Sequence, residues 1–167
     1  MLNALAIALT LHIVQAVAVS PEVVGQWRFS SGDPSLLTKT SNGSEASEGR
    51  AASKLLTLRA DGTYRQESSI LMGRKGHRMR LSSTVEGRFE AQGGRIRFMV
   101  DRGRQSGEDN MIESGNYDRI LPPDLVKRMS ESSGYRTRDE GGRPVLVLLP
   151  TEIPTDSVTF LKYSSGS

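Results

Sequence analysis

RMRLSSTVEGRFE, residues 78–90, reads as one long β-strand. Met79, Leu81, Ser83, Val85, Gly87 and Phe89 fall on one face. Arg78, Arg80, Ser82, Thr84, Glu86, Arg88 and Glu90 fall on the other. Successive strand side chains point to opposite sides, so this alternation needs a sheet with one buried face and one wet face. The next segment repeats the rule, with Ile96, Phe98 and Val100 inward and Arg95 and Arg97 outward. Phe89 and Ile96 must share a face, so the loop between them holds an even number of residues. A two-residue turn at Gln92-Gly93 fits that parity.

The hairpin before it uses a different turn. Leu56 and Leu58 precede Ala60-Asp61-Gly62, and Tyr64 follows. A two-residue turn would set Leu58 opposite Arg65. A three-residue loop sets Leu58 opposite Tyr64, with Gly62 supplying the left-handed conformation. The inward row then continues through Gln66, Ser68, Ile70 and Met72. Gln66, Ser68 and Ser83 therefore place polar groups on a face expected to be core. Buried polar groups need partners. Either they line a cavity, with water or a ligand as partner, or they sit at the rim in solvent.

Elsewhere the reading is coarser. A first strand is expected over 23–30 around Trp27, one of uncertain parity over 111–121, and two more over 145–149 and 157–163. Pro122-Pro123-Asp124 opens a short helix over Leu125, Val126 and Met129, ended by Ser132-Ser133-Gly134. Residues 31–53 read as a long polar loop, a lid or an excursion, with Leu36 and Leu37 its only large apolar pair. Residues 103–110 read as a second polar loop. The expected fold is an all-β, antiparallel up-and-down barrel of about eight strands with one short helix.

Composition narrows the classes. The chain has 167 residues and no cysteine. Length favours one domain, and disulfide scaffolds and cysteine-ligated metal sites are excluded. Residues 1–20 carry no Lys, Arg, Asp or Glu and end near Ala16-Val17-Ala18, a small-x-small cleavage pattern. A signal peptide over 1–18 is expected, with the single domain over 19–167 and export to periplasm or exterior. No Lys or Arg stands near Met1, and an uncleaved anchor is the rival reading. After cleavage no stable membrane span is expected.

Charge is uneven. Residues 50–104 hold 13 Lys+Arg against 5 Asp+Glu, a net +8, while the whole chain is only +3. The excess peaks at Arg74, Lys75, His77, Arg78 and Arg80. This is either a solvated loop and strand face or an anion-binding edge for an acidic partner or anionic surface. No aromatic residues are interleaved there, so nucleic acid is not expected.

A resemblance enters with Gly25-Gln26-Trp27, on the first strand soon after the apolar segment, followed by a long loop and meandering hairpins. This resembles the lipocalin and wider calycin group of barrels, and residues 56–64 are similar to hairpins of bacterial lipocalin-like proteins. The resemblance implies that Gly25 and Trp27 close the barrel floor, with an arginine from late in the chain packed on the tryptophan. Arg119, Arg136 and Arg138 are the candidates. The group's second turn motif and its long C-terminal helix are missing.

Catalytic motifs are nearly absent: there is no Gly-x-Ser-x-Gly, His-Glu-x-x-His or P-loop. His77, set among Lys75 and Arg78, reads as a loop histidine, not a base or ligand. Asp118 beside Arg119, and Arg138 beside Asp139-Glu140, read as ordinary charge pairs. The expectation is a binding protein without metal or cofactor that encloses a small apolar or amphipathic molecule. Tyr64, Gln66, Ser68, Met79, Leu81 and Ser83 are its wall, and Leu36 and Leu37 its lid contacts. The alternative is an envelope interaction module that uses the basic hairpin.

Overall fold

The computed structural model describes residues 19–32, 49–74, 77–150 and 158–163, which hold nine strands. They are β1 (Gly25–Gly32), β2 (Gly49–Leu58), β3 (Thr63–Arg74), β4 (His77–Gln92), β5 (Arg95–Asp109), β6 (Tyr117–Ile120), β7 (Glu131–Asp139), β8 (Pro144–Pro150) and β9 (Val158–Lys162). Pairing runs β4-β3-β2-β1-β9-β8-β7-β5, and β4 also pairs with β5, which closes a ring of eight antiparallel strands. β6 lies outside that ring, on the far half of β5. The only α-helix among the described residues is α1 (Pro123–Arg128), and no helix there is long and apolar enough to cross a membrane.

Two turns follow the chain's parity. Leu58 lies opposite Tyr64, Arg59 N–H donates to Thr63 O at 2.9 Å, and Gly62 holds φ at 79°. That is the three-residue loop with a bulge. The β4–β5 turn has the expected two residues but sits one position later, at Gly93-Gly94, with φ of 59° and 74°. Positive φ at both positions matches the right-handed twist of the hairpin, and glycine reaches it without a Cβ penalty.

Several expected boundaries move. The first strand starts at Gly25, because Pro21–Val23 forms a 3-10 turn. Strands take up residues 31–32 and 49–53 of the expected loop; Leu36 and Leu37 lie outside the described residues. Residues 103–109 are not a loop but the second half of β5. The strand expected over 111–121 shrinks to Tyr117–Ile120 behind a 3-10 turn at Glu113–Gly115. The helix stops at Arg128, and Ser132, Ser133 and Gly134 belong to β7. His77 opens β4 instead of lying in a loop.

β5 continues because of a bulge. Glu86 pairs with Arg102 and Gly87 with Val100, leaving Asp101 as an extra residue. The bulge resets the alternation, so Gly103, Gln105, Gly107 and Asp109 share the inner face with Val85, Ser83, Leu81 and Met79.

The barrel is filled at one end. Val23, Trp27, Leu56, Leu58, Tyr64, Val85, Phe89, Ile96, Phe98, Leu146 and Phe160 form one buried cluster. Trp27 is 1% exposed, and its Nε1 donates to Val23 O at 2.7 Å. The 3-10 turn therefore crosses the floor as a plug, tied in by Ser20 N–H to Ala91 O at 2.9 Å. A cation does pack on Trp27, but it is Lys162, 5.3 Å from the ring centroid, and not Arg119, Arg136 or Arg138. Trp27 pairs directly with Lys162 across β1 and β9. Arg119 instead stacks on Tyr117, and Arg138 pairs with Glu140.

Candidate functional site

The strands differ greatly in length. β3, β4 and β5 have 12, 16 and 15 residues, whereas β8 and β9 have 7 and 5. β2 to β5 therefore rise past the solid core and carry their inner faces on as a wall above it. An eight-stranded barrel has an interior just wide enough to be filled by side chains or to hold one small ligand. Here the lower half is filled, and the upper half keeps half-buried groups.

The cross-strand register arranges that wall in rows. Trp27, Leu56, Gln66, Val85 and Gly103 form the level of the floor. Above it lie Phe29, Lys54, Ser68, Ser83, Gln105 and Arg119. The next row is Ser31, Ala52, Ile70, Leu81, Gly107 and Tyr117. Arg50, Met72, Met79 and Asp109 reach the rim. Phe29 fixes which face is inner, since its ring lies 6.0 Å from that of the buried Phe160.

Five of the six expected wall residues stand together here. Gln66, Ser68, Met79, Leu81 and Ser83 are half-buried on one continuous face, and Gln66 Nε2 donates to Ser68 Oγ at 3.5 Å. Tyr64 does not join them. It is 3% exposed in the core, edge-on to Phe98 at 4.9 Å, and burial together with Glu131 and Asp101 pushes its hydroxyl well above the ordinary tyrosine range. Tyr64 is floor, not wall. Sequence reasoning missed Lys54 and Arg119. Lys54 was within reach, because it precedes Leu56 and Leu58 by the same period of two.

The rim carries a fixed polar knot. His77 Nε2 lies 2.9 Å from Asp109 Oδ2, and Asp109 Oδ1 accepts the N–H groups of Met111 and Ile112, each at 2.9 Å. The His77 contact, followed by these two backbone bonds, holds the Asp109 carboxyl below the usual range. The knot ties the head of β4 to the turn after β5.

The expected anion-binding residues are spread out. Lys75 lies outside the described residues, as does the Arg74 side chain. Arg78 and Arg80 are on the outer face of β4, and Arg80 is opposite Glu108. Lower on the same outer face, Arg65 bonds Glu67 and Glu86 at 2.6 Å each, and Arg102 also bonds Glu86. Arg102 first and Arg65 second hold the Glu86 carboxyl below its ordinary range. Asp118 pairs with Arg104 at 2.6 Å and not with its neighbour Arg119. Arg65, Arg102 and Arg104 thus each have a carboxylate partner on the outer wall.

A concavity of about 750 Å³ lies where β1 and β9 pair at only two positions; Arg28, Phe29, Arg143, Leu161, Lys162 and Tyr163 help to line it. Among the described residues no three His, Asp or Glu side chains gather as a metal site. No protein-family model matches the chain, and no curated protein matches it in sequence. The closed eight-stranded antiparallel barrel is compatible with a lipocalin-like fold.

Proposed function

We propose that this protein is an exported, lipocalin-like carrier that encloses one small, partly apolar molecule in the upper basin. The observation that carries the reading is the contrast within a single barrel. The floor is packed apolar side chain, while Gln66, Ser68, Ile70, Met72, Met79, Leu81 and Ser83 are all half-buried on the inner wall. Methionine and aliphatic groups there provide apolar area at roughly 25 cal/mol per Å² removed from water. The hydroxyls and the amide orient the guest. No proton transfer or covalent step is needed, in keeping with the scarcity of catalytic groups.

Export rests on the uncharged segment 1–20 and its small-x-small site. In this reading the mature chain begins at Val19, which forms a bridge to Ala91 beside the floor plug. The competing use of the basic hairpin as a docking edge is weakened by Glu108 opposite Arg80 and by the His77–Asp109 pair.

Native mass spectrometry of protein purified from its own host tests both parts in one spectrum. The denatured mass should correspond to a chain starting near Val19, and the native mass should exceed it by one small molecule. A chain that retains Met1 in soluble protein would reject the signal peptide. Identical native and denatured masses across preparations would count against a carrier.

A further inference from the structure

The inner wall holds a charge that folding does not use. Lys54 pairs with Phe29 on one side and Ser68 on the other, two residues along β2 from the fully buried Leu56. It is half-buried and has no carboxylate partner among the described residues. A cation set on an inner wall without a counter-charge loses hydration and gains nothing from the protein in return.

The strand β6 carries a second cation, Arg119, which is exposed. Tyr117 covers Gly107 so closely that a Cβ there would meet its ring at 2.4 Å. Arg119 stacks over that ring at 4.9 Å and donates from Nη2 to Gln105 Oε1 at 3.3 Å. The row Lys54, Ser68, Ser83, Gln105, Arg119 crosses β2 to β6. At roughly 4.8 Å per strand that is about 19 Å of wall from Lys54 to Arg119, which is exposed and stands on β6, beside β5 and outside the closed ring. Among the described side chains on the inner face of β1 to β6 the charged residues are Arg50, Lys54, His77, Asp109 and Arg119, and the register adds position 74 to the same row. The single carboxylate, Asp109, is already taken by His77 and two backbone N–H groups. Glu131, at the head of β7, stands opposite Phe98 at the level of the core.

We infer that the guest is an amphipathic anion whose carboxylate, sulfonate or phosphate head is held by Lys54 and Arg119. Ser68, Ser83 and Gln105 complete the polar belt. The apolar body of the guest lies upward against Ile70, Leu81, Met72 and Met79, because downward the floor is already filled. This rests on the carrier reading above and adds the chemical class of the guest. Charge-assisted hydrogen bonds of the kind Lys54 offers are the strong ones, and the expected selectivity for the anion is about tenfold or more.

The test uses the full mature chain, the neutral fluorophore N-phenyl-1-naphthylamine, and three competitors below their micellar limits that share one tail: dodecanoate, dodecan-1-ol and dodecyltrimethylammonium. Dodecanoate should displace the fluorophore at about one-tenth the concentration of the alcohol, and the ammonium should be weakest. Lys54→Met should remove the preference for the anion over the alcohol, and Lys54→Arg should keep it. Melting temperature and circular dichroism check that each variant folds, and Arg119→Gln gives an independent second reading. Equal displacement by all three head groups, or an anion preference that survives Lys54→Met, overturns the inference and leaves the carrier standing. Failure of folded protein to bind the neutral fluorophore removes the carrier reading, and this inference with it.

Discussion

Trp27→Ala is expected to remove about 3–5 kcal/mol of folding stability, the range for a large aromatic lost from a core. Trp27 joins three parts of the floor. It packs within the buried cluster, it donates to Val23 O and so fastens the 3-10 plug, and its ring supports Lys162 at the β1–β9 seam. That seam is the thinnest in the barrel, with only two paired positions. Truncation would leave a cavity, an unsatisfied Val23 carbonyl and a loosened closure together. Native domains have only about 5–15 kcal/mol to lose. Urea unfolding followed by far-ultraviolet circular dichroism should therefore show a greatly lowered midpoint. Trp27→Phe should lose less, since it keeps a ring and gives up chiefly the indole bond, worth about 1 kcal/mol. Wild-type Trp27 emission should be blue-shifted and poorly quenched. An unchanged midpoint in Trp27→Ala would mean that the floor is closed by other groups.

Gly87→Ala is expected to damage the β4–β5 pairing strongly. A Cβ at Gly87 would lie 2.0 Å from Met99 O, a backbone atom of the partner strand. Rotation of a side chain cannot relieve that contact, so the β4–β5 ladder itself must part at the bulge. Overpacking of this kind costs typically about 1–3 kcal/mol, and here it falls on the longest pairing in the barrel. Gly94→Ala is the control. It too adds one methyl, but the added Cβ would meet nothing nearer than Tyr135 O at 3.9 Å. Its cost is the left-handed backbone alone, about 1–2 kcal/mol. Thermal denaturation of the pair should rank Gly87→Ala below Gly94→Ala, and amide exchange in β4 and β5 should speed up only in the former. The reverse order would show that the bulge is plastic and does not set the register of β5.

That register explains what could and could not be read from the amino-acid sequence. The long alternation 78–90, the Leu58–Tyr64 pairing and the even β4–β5 turn were all readable, because each depends on local parity. Residues 103–109 looked like a loop because glycine occupies inner positions 103 and 107. Those glycines are where other parts of the chain reach in: Leu121 lies against Gly103 and Tyr117 against Gly107, so a side chain has no room. The cation on Trp27 was sought among late arginines, but it is set by which residue of β9 lies beside β1, a pairing of 135 positions' separation along the chain that local pattern does not encode. Arg119 is reached only through two non-local facts, the bulge at Asp101 and the docking of β6 on β5. Lys54 needed neither, since the alternation through Leu56 and Leu58 carries back to it.

Electrostatic layout separates the two faces in the same way. Outside, Arg65, Arg102 and Arg104 are met by Glu67, Glu86 and Asp118. Such exposed pairs contribute little to stability individually, but they lower the net field of the outer wall. Among the described residues Lys54, on the inner face, has no such match.

The most direct test of the central claim is where a guest lies. With methyl-labelled protein and bound N-phenyl-1-naphthylamine, nuclear Overhauser contacts should run from the naphthyl ring to the methyl groups of Ile70, Leu81, Met72 and Met79, which share the inner wall. Contacts confined to Leu161 and the Arg28–Tyr163 groove outside β1 and β9 would contradict the account and move the binding surface to the exterior of the barrel.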